Sequence, residues 1–174
     1  MLKLSLMTYV LLYVLNGATV ANAQDKPTDA QIAHIAYTAG VIDIEAANQA
    51  LAKSNAQQVR DFASDMVRDH EAINKQALDL AKKLDLTPAD NATSQALADA
   101  AAKKRAELEA LEGAAFDKAY VDNEVAYHNQ VNGALETLLI PSAENADLKA
   151  LLETGLKIFQ GHEKHAEHVA AELK

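Results

Sequence analysis

The sequence predicts an all-α fold, an antiparallel four-helix bundle with an extra helix in the long crossover between helices 2 and 3. Three observations predict it. Alanine is abundant while the 174 residues hold only three prolines and six glycines, a composition that favours helix and leaves no run that reads as strands. Four long segments repeat apolar residues at helical spacing, each with an opposite polar face. The stretch from Thr87 to Gly113 between the second and third of them is far too long for a tight turn.

Lys3 precedes a mainly apolar run from Leu4 to Leu15, and Ala21-Asn22-Ala23 comes before Gln24. A basic start, a short apolar stretch and an Ala-x-Ala site read as a secretory signal peptide over residues 1–23, with a helical domain over 24–174. The run falls short of the roughly 20 residues that span a bilayer, so no transmembrane span is expected in the mature chain. The absence of cysteine excludes a lipid anchor on that residue, disulfides and thiolate ligands. The expected destination is the periplasm. A net charge of −9, one lower at −10 without Lys3, argues against nucleic acid as a partner, because binding phosphates needs a basic face.

The first helix opens at Pro27-Thr28-Asp29, with Thr28 or Asp29 as N-cap, and continues to about Lys53. Ser54-Asn55 is a short turn, and the second helix then runs to about Leu86 with Val59, Phe62, Met66, Ile73 and Leu80 on one stripe. Thr87 to Asn91 breaks the pattern. Thr93 or Ser94 caps a charged crossover helix that ends near Gly113. The next helix, Ala114 to about Leu139, turns Phe116, Tyr120, Val131, Leu135 and Leu138 inward and is stopped by Pro141. The last starts after Asn145 and presents Leu148, Leu151, Gly155, Ile158 and Val169. Two tight pairs joined by one long connection is the ferritin-like topology.

Each long helix carries a polar residue on its apolar stripe near mid-length. On the first it is Asp43. On the second it is His70, with Asp69 at the stripe's edge. Glu124 and His128 occupy the third at i, i+4 spacing, and His162 and His165 the fourth at i, i+3. A buried imidazole needs a hydrogen-bond partner or a metal. Carboxylates and imidazoles pointing inward from four helices supply ligands suited to Zn, Fe, Mn or Cu. The candidate metal ligands are therefore Asp43, His70, Glu124, His128, His162 and His165. The alternative is a metal-free network in which Asp43 accepts hydrogen bonds from histidines and tyrosines, in a non-enzymatic structural or interaction protein whose acidic surface meets a protein partner. His34 and His168 fall off the stripes and are expected at the surface. Counted from the first turn, Asp43 and His70 differ in depth by five residues, about 7 to 8 Å. Glu124 and His162 are nearly level across the other turn. No serine or threonine stands beside a base on a buried stripe, which argues against a hydrolase.

Several motifs carry a family resemblance over nearly the whole mature chain. They are the acid after glycine in Gly40-Val41-Ile42-Asp43-Ile44-Glu45, Phe62-Ala63 leading to Met66-Val67-Arg68-Asp69-His70, Phe116-Asp117-Lys118-Ala119-Tyr120 leading to His128, and His162 with Ala166. The chain resembles the secreted bacterial ferritin-like domain-of-unknown-function family numbered 4142. That resemblance implies a helical bundle exported to the cell envelope, periplasmic or associated with the outer membrane, with no established activity and a polar core of Asp43, His70, His128 and His162. Diiron ferritin-like enzymes place Glu three residues before each of two ligand histidines. Here Val67, Val125 and Phe159 stand three before His70, His128 and His162, so diiron oxygen chemistry and iron storage are not supported. Together these readings predict a periplasmic bundle that binds one transition-metal ion in its core, with a role in metal handling or envelope stress protection.

Overall fold

A computed structural model describes residues 26–173, so the expected signal peptide over residues 1–23 lies outside the described residues. The described chain is helical throughout its regular structure, with no strand: α1 (Asp29–Lys53), α2 (Gln57–Lys83), α3 (Ala92–Glu109), α4 (Gly113–Ala134), a π-helical turn over Leu135–Leu139, a short α5 (Ile140–Ser142) and α6 (Ala146–Glu172). No described helix is long and apolar enough to cross a membrane.

Caps set the boundaries. The Thr28 side chain accepts from Gln31 N, and Gln31 reaches back to the Thr28 N–H, a capping box worth about 1 kcal/mol. At α3 the cap is Asn91, just before the expected Thr93 or Ser94. Its side chain accepts from both of their N–H groups, and Ser94 is the returning partner of the box. Asn145 caps α6 through Asp147 N and Leu148 N. Pro141 does not end α4 as expected. The π turn just before it bonds Ile140 N to Leu135 O, five residues back, and the chain continues through Pro141 into α5. The wider turn admits one extra residue and rotates the helix beyond it. Leu138, expected inward, is 43% exposed as a result, and Leu139 takes the buried place at 4%.

Two apolar clusters fill the two ends of the molecule. One joins the C-terminal half of α1, the N-terminal halves of α2 and α4 and the C-terminal half of α6, around Ala50, Val59, Phe62, Met66, Phe116, Tyr120 and Val169. The other joins Ile32 and Ile35 of α1 to Leu135, Leu139, Leu148 and Leu152. These pairings fix the directions. α1 runs antiparallel to α2 and α4, while α2 and α4 run the same way because α3 carries the chain back along the molecule's length. Between the clusters lies a layer of buried polar side chains.

Candidate metal centre

That layer contains Asp43, His70, Glu124, His128 and His162, each no more than 6% exposed. Asp43 Oδ2 stands 3.3 Å from His70 Nε2 and 3.4 Å from His128 Nε2. The three imidazoles form a nearly equilateral triangle, with ring centroids 5.8 Å apart for His70 and His128, 5.3 Å for His70 and His162, and 5.5 Å for His128 and His162. One nitrogen from each ring lies within 4.8 Å of the others, and Asp43, Glu124 and His128 make a second such group. Ligand atoms of one tetrahedral ion are about 3 to 4 Å apart. The two Asp43 distances already match that spacing, and the rings need close by only about an ångström.

The counted depth mismatch between Asp43 and His70 is absorbed by side-chain direction. A helical Cα–Cβ bond tilts toward the helix N-terminus. Asp43 therefore leans away from the α1–α2 turn while His70 leans toward it, and the two converge. Across the other pair it is His128, not Glu124, that meets His162. Glu124 leans away from the connection to α6 while His162 leans toward it, so equal counted depth leaves them apart, and His128, one turn nearer the connection, comes level with His162. Glu124 sits one turn back, with Oε2 3.6 Å from His128 Nδ1.

The structure does not bring His165 to the cluster. Three residues beyond His162, it is rotated into the seam with α2, its ring edge on Phe62 at 5.2 Å and Nδ1 4.0 Å from Asp65 Oδ2. His34 is only half-buried, near Asp90, and His168 is exposed beside Glu172.

Hydrogen bonds fix which ring nitrogens are free. His128 Nδ1 donates to the Glu124 carbonyl at 3.0 Å, since a carbonyl only accepts, which leaves Nε2 as a bare lone pair. His162 Nε2 donates to Asp69 Oδ2 at 3.0 Å, leaving Nδ1 bare. His128 Nε2, His162 Nδ1, both nitrogens of His70, both oxygens of Asp43 and Glu124 Oε2 are buried without a hydrogen-bond partner. Metal-bound histidines characteristically donate the far N–H to a carbonyl or carboxylate, which sets the tautomer and aims the other nitrogen. His128 and His162 both show this arrangement. So many unmatched buried acceptors around one point is costly unless a cation completes it.

Asp69 stands out in the sequence only as a residue at the edge of a stripe, and nothing there marks it as the partner of His162. Phe159 is likewise unmarked, although its ring stacks on His70 with centroids 4.5 Å apart and planes 9° from parallel. The unusual aromatic three residues before His162 is the available signal.

Burial dominates the electrostatics. It pushes His70 well below the ordinary imidazole value, brings His128 down to about 4 and lowers His162, so all three rings are neutral at pH 7. It raises the Asp43 carboxyl to about 8, and raises Glu124 well above its usual range with Asp43's charge adding to the effect. Tyr120 and Tyr127 are raised by burial and by those carboxylates. Asp69 is held low by its hydrogen bonds from Arg68, then His162, against the opposing effect of burial, and stays ionised. Without a cation the inner carboxyls hold protons. A divalent ion would displace them and meet neutral nitrogen donors. A cavity of about 200 Å³ between α1, α3 and α4, bounded by Asp43, Glu124, Asn123 and Tyr127, reaches the carboxyl side of the layer.

The family described as "Domain of unknown function (DUF4142)" matches over residues 15–169. The chain belongs to this family. No curated protein matches it. Among solved structures, "CopM in the Cu(II)-bound form" is similar with a TM-score of 0.65 over 86% of this chain and 99% of that one, at 12% identity. At that identity the likeness concerns the fold. Membership of the family agrees with the resemblance carried by the Gly40 to Glu45, Phe62 to His70 and Phe116 to His128 motifs, and brings no activity with it.

Proposed function

We propose that this member of the family binds one transition-metal ion through His70 and the free nitrogens His128 Nε2 and His162 Nδ1, with Asp43 as the anionic ligand. Glu124 stands by as a second carboxylate, and His165 lies outside the first set of ligands. The single observation carrying this reading is the pair of oriented tautomers: two rings are hydrogen-bonded on their far side and bare on the side facing a common point. Three imidazoles and a carboxylate suit Cu(II) and Zn, and the Irving–Williams order makes Cu(II) the tighter of the two. The fold shared with a protein whose structure is titled as Cu(II)-bound makes copper the first metal to test.

The metal-free network is disfavoured because Asp43 approaches His70 and His128 at 3.3 and 3.4 Å without forming a hydrogen bond to either. The helix directions, with α3 returning the chain between α2 and α4, support ferritin-like connectivity. Together with the signal-like residues 1–23, the reading becomes an exported periplasmic protein for metal handling or envelope stress protection.

The experiment is metal analysis of untagged protein, with melting measured with Cu(II), with Zn and with chelator. Near-stoichiometric metal and a chelator-reversible rise in melting temperature are expected. Protein that takes up no metal at neutral pH, and melts alike in every condition, refutes the reading.

A further inference from the structure

On the far side of Phe159 from the metal centre lies a second cavity, of about 140 Å³, lined by α1, α2, the start of α3, α4 and α6 and partly open to the surface. None of its lining residues carries a charge. In a chain with 41 charged side chains, 16 basic and 25 acidic, such a lining marks a chamber that charged solutes do not enter. Ile35, Ile73, Leu139 and Leu152 make its walls. Its rim includes Leu138, one of two large apolar side chains left exposed among the described residues.

Two further features give the chamber a shape. Gly155, itself buried, leaves room for Phe159, since a Cβ there would press on the ring at 3.2 Å. Phe159 therefore has one face stacked on His70 while the ring also forms part of the chamber wall. Asn74, buried against Gly40, adds a neutral amide to the lining. A dry apolar cavity of about 150 Å³ is known to take benzene or xenon, and this one has that size.

We propose that this chamber is a binding site for a small uncharged aromatic molecule, of benzene to phenol size, entering past Leu138 and packing against Phe159, with Asn74 facing a polar substituent. The ring of Phe159 favours an aromatic guest, through offset or edge-on packing, over an alkyl one. The absence of a charged lining residue excludes carboxylate and ammonium ligands, which have nothing there to pair with. This site rests on the chamber alone and stands or falls separately from the metal reading.

The test is a titration of the full protein with benzene and with phenol, monitored by amide proton–nitrogen correlation spectra in the presence of chelator. Saturable shifts at Ile35, Ile73, Leu139, Leu152 and Phe159 are expected. Ala77→Phe, which fills the chamber from α2, is expected to weaken binding by about tenfold or more. Leu138→Trp narrows the mouth at an exposed position the fold tolerates, and is expected to weaken or slow binding even if the α2 variant does not fold. Absence of saturable shifts up to the solubility of both probes, shifts scattered over the outer surface, or wild-type binding in a folded variant of either kind overturns the proposal.

Discussion

Replacing Asp43 by Asn separates a metal site from a self-sufficient hydrogen-bond network, because the two arrangements give opposite signs. Burial raises the Asp43 carboxyl from 3.8 to about 8, so at pH 7 the folded protein must hold a proton that the unfolded chain has released. At about 1.4 kcal/mol per pH unit, holding that proton costs the metal-free fold on the order of 4 kcal/mol. Asparagine keeps the shape without the ionisation, and incomplete hydrogen bonding of its buried amide takes back about 1 to 3 kcal/mol. The metal-free variant is therefore expected to be more stable than wild type by about 1 to 3 kcal/mol at pH 7. The gain disappears near pH 4, where the unfolded carboxyl is itself about half protonated. Metal affinity falls at the same time, because the anionic ligand is gone. Urea unfolding with chelator at the two pH values measures the first effect, and calorimetric titration with Cu(II) the second. An ionised Asp43 paired with a protonated imidazole would instead make the variant about 3 to 5 kcal/mol less stable. A clear loss of stability at pH 7 in chelator would refute the reasoning.

Metal-free wild type is expected to be most stable near pH 6.5. On acidification the unfolded chain protonates at His70, His128 and His162 while burial keeps the folded rings neutral, and these three groups outweigh the two opposing carboxyls until the folded rings themselves begin to titrate, so stability falls just below pH 6.5. Above 6.5 only Asp43 and Glu124 matter, and stability falls as pH rises toward about 8. Urea midpoints in chelator that keep rising from pH 6.5 to 8 would contradict this. Asp69→Asn, which removes the ionised acceptor behind His162, is expected to lower metal affinity by about 10- to 100-fold, whereas His165→Ala leaves it unchanged in calorimetry. Gly40→Ala drives a methyl group into the Asn74 amide and is expected to cost about 1 to 3 kcal/mol in urea unfolding, with Asn74→Ala relieving it. Tyr120→Phe, which removes a buried hydroxyl without a partner, is expected to be neutral or mildly stabilising in the same assay.

Much of the framework is legible in the sequence because helix periodicity and caps are local signals. α1 ends at Lys53 as expected, and the long excursion before Gly113 requires a crossover. The inferences that fail are those that depend on helix phase. Periodicity turns Leu138 inward only if the α-helix is unbroken, and a π turn leaves no compositional mark beyond the neighbouring Pro141. A depth count between Asp43 and His70 treats residues as points on an axis and neglects the tilt of their side chains. For the site, residue types on buried stripes point to Asp43, His70, Glu124, His128 and His162. His165 sits close enough in angle to be drawn in, although the three-residue step turns it toward Asp65. The roles of Asp69 and Phe159 are not legible because they come from contacts between α2 and α6, which no single helix pattern reports.

The π turn has a consequence for how this chain could be redesigned. The helix before it must point Glu124 and His128 at the centre, while Leu139 and Ala143, at its far end, must meet Ile32 and Leu148. One surplus residue works as a vernier between those two demands, letting each lock at its own angle. Deleting the surplus residue there would let an unbroken α-helix turn through nearly the same angle and keep both ends in phase, whereas forcing all five residues into α-helical geometry would set one end about 100° out. The π turn is thus the place where this helix can lose one residue without losing its angular offset.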